Sequence, residues 1–404
     1  MKEADGWREW QLTPEQIVAL DESELVRVRP SRRIGWCRLE ARDRVGVARV
    51  GHGRAQVQLS VTPKVTVDRL LYLLGYADEE WLHDGGPVDV ATRADLLPAL
   101  ARAYTRAVQR ALRQGVLLGY RETEASEPVL RGRLRAAAQM SRRPGLALPL
   151  EVAYDEHTVD IAENQLLLGA ARRLLRVPGV GGAQRTTLHA LAARLDGVTP
   201  PVLGAPLPLW RRDRLNSRYH RPLALAEVIL GGASYELEDG RAVTVDGVMF
   251  QMWRVYEAFL ARALGEALIR RAGGRYKTQD RDHFFGAPRK YVLKPDLIHY
   301  FPVPTGGRRA AVVVDAKYKR GFHRDDLYQM LAYCVRLGLT DGHLVYASGR
   351  ADVVRVPVGG GEVRLHRHVV DLNQSPQQMN RSIDGLARAV LKHIATKGPQ
   401  GVGT

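Results

Sequence analysis

The spacing of apolar and polar positions divides the chain into three regions. Short apolar runs broken by turn residues predict N-terminal strands; these runs are residues 25–28, 45–50 and 57–61. Further along, apolar residues recur every three or four positions, most clearly in segment 95–118, and this spacing is typical of amphipathic helices. We therefore expect a β-rich N-terminal module at 1–85 and a helical middle region at 86–240.

The third region has a recognisable order of elements. The pattern predicts a long helix at 248–271 and a second helix at 324–337, which Gly338 ends. Strands are predicted around the second helix, within 276–285 and at 296–301, 309–317 and 343–347. This order of helix, three strands, helix and strand predicts an α/β core at 241–396 within a mixed α/β multidomain chain. The polar, Gly-rich residues 397–404 are expected to be disordered.

Length and composition exclude several classes of protein. A chain of 404 residues with 45% hydrophobic residues suggests two or three folded domains. It has no stretch of eighteen apolar residues and no apolar core of a signal peptide, so neither a membrane span nor secretion is expected. Cys37 and Cys334 lie far apart in apolar surroundings, which predicts buried free thiols and fits a reducing cytoplasm.

The charge indicates a partner class without establishing it. Sixty Lys and Arg residues against 44 Asp and Glu give a formal net charge of +16. Such a basic excess attracts polyanions, including nucleic acid. An Arg-rich composition with many arginines on solvated faces would give the same number.

A possible catalytic site lies on the predicted strands of the third region. Asp315 and Lys317 are two residues apart on one strand, so their side chains project to the same side. If Pro302 pairs with Arg309 across the intervening hairpin, Asp296 lies directly opposite Asp315. Opposed residues have Cβ atoms about 4.5–5.5 Å apart. That separation lets two carboxylates share one cation.

This set of residues suits phosphodiester hydrolysis. Oxygen ligands favour a hard ion, Mg²⁺ or Mn²⁺, which lowers the pKa of a bound water and offsets developing charge. Lys317 would add positive charge near the attacking water. Glu257 lies in an otherwise apolar helical segment and needs a partner, which the metal cluster would supply. Gln329 lies on the following helix and could hydrogen-bond the water or a phosphate.

A lone Asp-x-Lys sequence is common on exposed strands and carries little weight alone. Here the pair follows an apolar run, AAVVV at 310–314, which is typical of a buried central strand. A charged pair at the end of such a strand is harder to interpret as solvated surface.

The motifs resemble the PD-(D/E)XK nuclease superfamily: KPD at 294–296, DAK at 315–317 and YQMLAY at 328–333. More of the chain resembles the McrC family, the nuclease subunits of McrBC-type restriction systems, which cleave DNA carrying modified cytosines. The ordered fragments are VTPKV at 61–65, LLYLLGYA at 70–77, LRGRL at 130–134, YDEHTVDIAENQLL at 154–167 and VYEAFL at 255–260.

The resemblance implies a cytoplasmic restriction endonuclease that acts with a partner. In this family a McrB-like AAA+ GTPase recognises the DNA, and the N-terminal part of McrC docks on it and stimulates hydrolysis. By resemblance, the Ala316 carbonyl joins Asp296 and Asp315 as a metal ligand, and Glu257 binds a second ion or a metal-bound water. This chain has no phosphate-binding loop of its own. Residues proposed to contact DNA lie beside the site: Lys319, Arg320, Arg324 and Tyr333.

Two other functions remain open. The chain could be a stand-alone nuclease in DNA repair or junction processing, although the long segment ahead of the core argues against a minimal enzyme. It could also be a non-catalytic adaptor that activates a motor ATPase. The intact Asp296, Asp315 and Lys317 set argues against that second alternative.

Overall fold

The fold is described from a computed structural model of the 404-residue chain. The described residues are all except 4–5, 43, 76–95, 178, 203–204, 232–233, 237–241, 245, 287–289, 303–306, 320–321, 360 and 396–404. The predicted disordered tail, 397–404, and part of the predicted N-terminal boundary therefore lie outside the described residues.

The N-terminal module contains the predicted strands together with two helices. Its elements are β1 (Arg8–Gln11), α1 (Pro14–Glu22), β2 (Val26–Pro30), β3 (Trp36–Ala41), β4 (Arg44–Val50), β5 (Val57–Val61) and α2 (Val67–Gly75). One antiparallel sheet has the order β1-β3-β2, while β4 pairs with β5 in a second sheet. Helix α1 begins with a capping box, in which the Thr13 side chain accepts a hydrogen bond from the backbone N–H of Gln16 and the Gln16 side chain accepts one from the backbone N–H of Thr13.

The middle region is only partly helical. Its elements are α3 (Leu96–Ala111), β6 (Gly119–Glu127), β7 (Arg133–Leu134), α4 (Ala136–Arg142), β8 (Leu150–Thr158), α5 (Ala162–Arg176), α6 (Gly182–Arg194) and α7 (His220–Gly231). The prediction of a helical region is wrong for the antiparallel sheet β6-β8-β7. Along β6 the residues alternate between half-buried and exposed but are almost all polar. Because apolar and polar residues do not alternate, the strand lacks the usual sequence signal.

The C-terminal region contains the remaining elements. They are β9 (Ser234–Glu236), β10 (Ala242–Thr244), β11 (Asp246–Gln251), α8 (Met252–Ala272), β12 (Arg275–Thr278), β13 (His283–Phe285), β14 (Tyr291–Leu293), β15 (Leu297–Pro302), β16 (Arg308–Lys317), α9 (Arg324–Leu337), β17 (Asp341–Tyr346), β18 (Asp352–Val358), β19 (Gly361–Val369) and α10 (Pro376–Ala395). The predicted helices and strands from α8 to β17 are present in the predicted order, but the single strand predicted within 276–285 is two strands, β12 and β13. Strands β14, β18 and β19 and helix α10 were not predicted.

The central sheet of the C-terminal region has six strands in the order β12-β15-β16-β17-β19-β18. Strands β16, β17 and β19 run parallel, and the other neighbouring pairs are antiparallel. Helix α9 connects β16 to β17, and Gly338 ends it in the left-handed conformation with φ 66°. One face of the sheet packs in a cluster with α9, and the other face joins the large core that includes α8 and α10.

The start of the C-terminal region is joined to the N-terminal module. The long helix was predicted from residue 248, but residues 246–251 form β11, which pairs with β4 in the sheet β11-β4-β5. At Gly247 an added Cβ would lie 2.1 Å from the Val47 carbonyl oxygen, so only glycine permits this approach. The sheet therefore crosses the boundary predicted near residue 241.

Both cysteines are free and buried, as predicted. Within the described ranges, no helix is both long enough and apolar enough to span a membrane.

Candidate active site

The ends of β15 and β16 bring Asp296 and Asp315 together. The predicted pairing of Pro302 with Arg309 is wrong, because Pro302 pairs with Arg308. The register shifts between His299 and Tyr300, and beyond that bulge Leu297 pairs with Val314. One further step in the same register sets Asp296 opposite Asp315. Asp296 and Asp315 therefore lie opposite each other, but the register that places them there depends on a β-bulge that the sequence did not predict.

Asp296 is anchored on the neighbouring strand. Its Oδ2 accepts a hydrogen bond of 2.8 Å from the backbone N–H of Ala316. Asp296 is 7% exposed and Asp315 is 3% exposed, so both carboxylates lie in a poorly solvated site. Burial of a carboxylate without enough compensating charge disfavours its ionised form.

The electrostatics of the acidic residues reflect this crowding. Burial, together with the charges of Asp315 and Glu257, raises the pKa of Asp296 to about 8. Burial and the charge of Asp315 raise the pKa of Glu257, on α8, to about 7. Burial also raises the pKa of Asp315, although the Lys317 ammonium opposes the increase. The charge of Asp315 acts on Glu257 and that of Glu257 acts on Asp296, so we assign Glu257 to the same acidic cluster.

Lys317 is the cation of the cluster. Its Nζ contacts Asp315 Oδ2 in an ion pair and donates a 2.9 Å hydrogen bond to Gln329 Oε1. Burial alone would lower the pKa of Lys317, but the charges of Asp315, Asp326 and Asp296 outweigh it and raise that pKa. Lys317 therefore stays protonated at neutral pH, and Gln329 fixes the position of its ammonium group.

The residues predicted to contact DNA lie in different environments. Lys319 is exposed but forms a 2.8 Å ion pair with Asp326, and Arg324 is exposed at the start of α9. Tyr333 is only 2% exposed, and the pKa of its hydroxyl is raised by burial and by the charges of Asp315 and Asp296. Its side chain is therefore buried beside the cluster and is not part of an exposed surface. Arg320 lies outside the described residues.

Asp326 is a site residue that sequence reasoning missed. It is 3% exposed, accepts a 2.9 Å hydrogen bond from the Tyr346 hydroxyl, and lies 3.9 Å from Lys317 Nζ. A signal was available: Asp326, Met330 and Tyr333 follow the spacing of one helix face, and the apolar members mark that face as buried. A carboxylate on such a face needs a cationic partner.

The donor atoms fit a hard divalent cation. Three carboxylates of raised pKa lie near the partly buried Lys317, whose single positive charge does not balance them. Asp315 Oδ2 is buried, and the Lys317 ammonium forms an ion pair with it. Carboxylate oxygens at this density select Mg²⁺ or Mn²⁺ over softer metals.

The fold and the site define a class of protein, a mixed α/β protein whose central strands end in an acidic cluster that contains one lysine, Lys317. The sequence model of one family, the McrBC 5-methylcytosine restriction system component, matches residues 39–347. The chain belongs to that family.

One solved structure has a similar fold over most of the chain. The chain is similar to a chain in the refined half-complex from a tetradecameric assembly of Thermococcus gammatolerans McrB AAA+ hexamers with bound McrC. The match has a TM-score of 0.50 and 20% identity, and covers 92% of this chain and 87% of that chain. The cryo-EM structure of the Thermococcus gammatolerans McrBC complex also matches, with a TM-score of 0.36 and 23% identity over 62% of this chain and 72% of that one. No curated protein matches.

Proposed function

We propose that the chain is the metal-dependent DNA endonuclease subunit of a McrBC-like restriction system, activated by a McrB-like AAA+ GTPase whose hydrolysis it stimulates. One observation supports the catalytic part above all: Glu257, Asp296, Asp315 and Lys317 converge from three separate elements. Membership of the McrBC family supports the biological setting.

Each side chain of the cluster has a chemical role in this proposal. Asp296, Asp315 and the Ala316 carbonyl hold Mg²⁺ or Mn²⁺. When bound, the ion supplies a water of lowered pKa and offsets charge on the phosphate. Lys317, held protonated by its acidic neighbours, donates to a phosphate oxygen and stabilises the developing negative charge.

Glu257 and Gln329 support the hydrolysis. With a pKa of about 7, Glu257 is partly ionised at neutral pH and can accept a proton from the attacking water or hold it in place. Gln329 acts as a positioning residue, because its Oε1 accepts the hydrogen bond that directs the Lys317 ammonium. Lys319 and Arg324 are exposed and lie close to Asp326, by an ion pair and by position in the chain respectively, and they would add sequence-independent affinity for the phosphate backbone.

The docking surface for the GTPase is proposed to lie within residues 1–240. The sheet β6-β8-β7 with α4, here called the arm (residues 119–158), carries an unusual set of exposed apolar side chains. They are Tyr120, Val129, Leu130, Leu134, Met140, Leu146 and Leu148. A cluster of exposed apolar residues on an otherwise polar element is typical of an interaction surface. The McrB hexamers with bound McrC in the similar structure suggest the occupant.

The test is reconstitution with a McrB-like AAA+ GTPase as partner, GTP and Mg²⁺. We expect the chain alone to cut unmodified duplex DNA poorly, and the complete mixture to cut DNA carrying 5-methylcytosine. The chain should also raise the partner's GTP hydrolysis. EDTA should stop cleavage.

Two results would overturn this proposal in different ways. Multiple-turnover cleavage of plain DNA by the chain alone, unchanged by the partner, would favour a stand-alone nuclease. Stimulation of GTP hydrolysis without any cleavage by the wild-type chain would favour an adaptor.

A further inference from the structure

A second cluster of ligand-type side chains lies on the opposite face of the central sheet. Strands β17 and β19 are parallel neighbours, and His343 pairs directly with His366. Because alternate strand residues share a face, Asp341 and His343 project to the same side as His366 and His368. That side carries Val345, which belongs to the core shared with α10, whereas Leu344 faces α9. The cluster is therefore separate from the acidic site.

The last turn of α10 completes the cluster. His393 lies there, and its ring centroid is 4.2 Å from that of His366 and 6.1 Å from that of His343. One ligand atom each from Asp341, His366 and His393 lies within 4.8 Å of the other two. Three donors around one tetrahedral zinc ion are about 3.3 Å apart, given bonds of about 2.0–2.1 Å. Small side-chain rotations would close the remaining distance.

Asp341 is oriented as a ligating carboxylate usually is. Its Oδ2 accepts hydrogen bonds from Arg364 at 2.8 Å and from Thr340 Oγ1 at 2.9 Å. Its Oδ1 accepts a hydrogen bond of 2.8 Å from His366 Nε2, and a metal ion bound to both atoms would take the place of that proton. One oxygen is thus anchored by neighbouring side chains and the other points into the histidine cluster. Such anchoring of the ligand is the normal arrangement around protein-bound metals.

We propose that Asp341, His366 and His393 form a binding site for a transition-metal ion of the Zn²⁺ class, which ties α10 to the central sheet. The donor set of two imidazoles and one carboxylate suits zinc far better than Mg²⁺. His343 and His368 lie against the ligands, and their mutual hydrogen bond of 3.1 Å holds both rings in place. An ion bound there would join two strands and the C-terminal helix, and its fourth coordination position would be left for water.

The test is calorimetric titration of the chelator-stripped, full-length chain with Zn²⁺. Millimolar Mg²⁺ is present throughout to occupy the acidic site. We expect one equivalent of Zn²⁺ to bind and to raise the melting temperature. His393→Gln should weaken binding at least tenfold and abolish the thermal shift. His189→Gln, which changes an exposed histidine on α6, is the matched control and should behave as wild type.

A spectroscopic measurement covers the case in which His393→Gln does not fold. The wild-type chain loaded with Co²⁺ should show the intense visible bands of tetrahedral coordination, and Asp315→Asn should leave them unchanged. Absence of stoichiometric Zn²⁺ binding by the wild type, or equal binding by folded His393→Gln and His189→Gln, would overturn the proposal. Loss of the Co²⁺ bands in Asp315→Asn would do so as well, because it would assign the metal to the acidic site.

Discussion

Asp296→Asn should stabilise the metal-free chain at alkaline pH. Asparagine keeps the size of the side chain and can still accept the hydrogen bond from Ala316, but it cannot acquire the charge that Asp315 and Glu257 repel. The substitution therefore removes an electrostatic cost while leaving the packing in place. Active-site residues commonly reduce stability in this way.

The pKa of Asp296 sets the size and the pH window of the effect. Its folded value is about 8 against an ordinary 3.8, so the folded state holds the proton more tightly than the unfolded chain does. Protonated Asp296 therefore costs the folded chain nothing below about pH 4. The free energy of unfolding then falls as the pH rises through about 8, because Asp296 must ionise in the folded state. A difference of this size corresponds to at most about 6 kcal/mol. Water entry and side-chain movement in the metal-free site would reduce the cost, and we expect a gain of about 1–3 kcal/mol from Asp296→Asn.

The assay is thermal unfolding in EDTA at pH 5 and pH 8.5. At roughly 2–4 °C per kcal/mol for a domain of 150–250 residues, Asp296→Asn should melt about 2–12 °C higher than wild type at pH 8.5. The gain should shrink at pH 5, and Mg²⁺ should reverse the order by stabilising only the wild type. Glu362→Gln, an exposed change on β19, is the control. A lower melting temperature for Asp296→Asn at pH 8.5, or an equal gain at both pH values, would refute the reasoning.

Three further variants test other parts of the site and the arm. Gln329→Ala removes the hydrogen bond that holds the Lys317 ammonium, so it should lower the cleavage rate about tenfold with little change in DNA affinity. A larger loss of affinity than of rate would contradict a positioning role for Gln329. Leu130→Asp in the arm should reduce stimulation of the partner's GTP hydrolysis at least tenfold. Val353→Asp, which changes an exposed residue on β18, is the control and should not reduce it. Equal effects of the two substitutions would show that the arm is not the docking surface. Arg324→Ala should lower the slope of DNA affinity against salt concentration by about one, and an unchanged slope would exclude a phosphate contact.

Sequence predicted the C-terminal core well because its apolar patterns are strong there. Helix α9 begins and ends where its periodicity and Gly338 indicate, and β16 is marked by the apolar run before Asp315. Both elements are largely buried on the sheet side, and in each of them the spacing of apolar residues follows one pattern. The acidic cluster followed because residues two apart on β16 must share a face.

The remaining features depend on long-range packing that local patterns do not encode. Strand β11 was assigned to the long helix because its apolar residues continue into α8, and only pairing with β4 makes it a strand. The arm has almost no apolar alternation, so its strands could not be predicted. The histidine cluster joins β17, β19 and α10, and no spacing in the sequence brings these three elements together.

The most direct test of the central claim is DNA cleavage by Asp315→Asn, measured in the same reaction as GTP hydrolysis by the AAA+ partner. The substitution removes one proposed metal-ligand charge beside Lys317 and leaves the arm untouched. We expect stimulation of GTP hydrolysis to stay at the wild-type level while cleavage of 5-methylcytosine DNA falls at least a thousandfold. Cleavage by Asp315→Asn at a rate near that of the wild type would show that the acidic cluster is not the catalytic site.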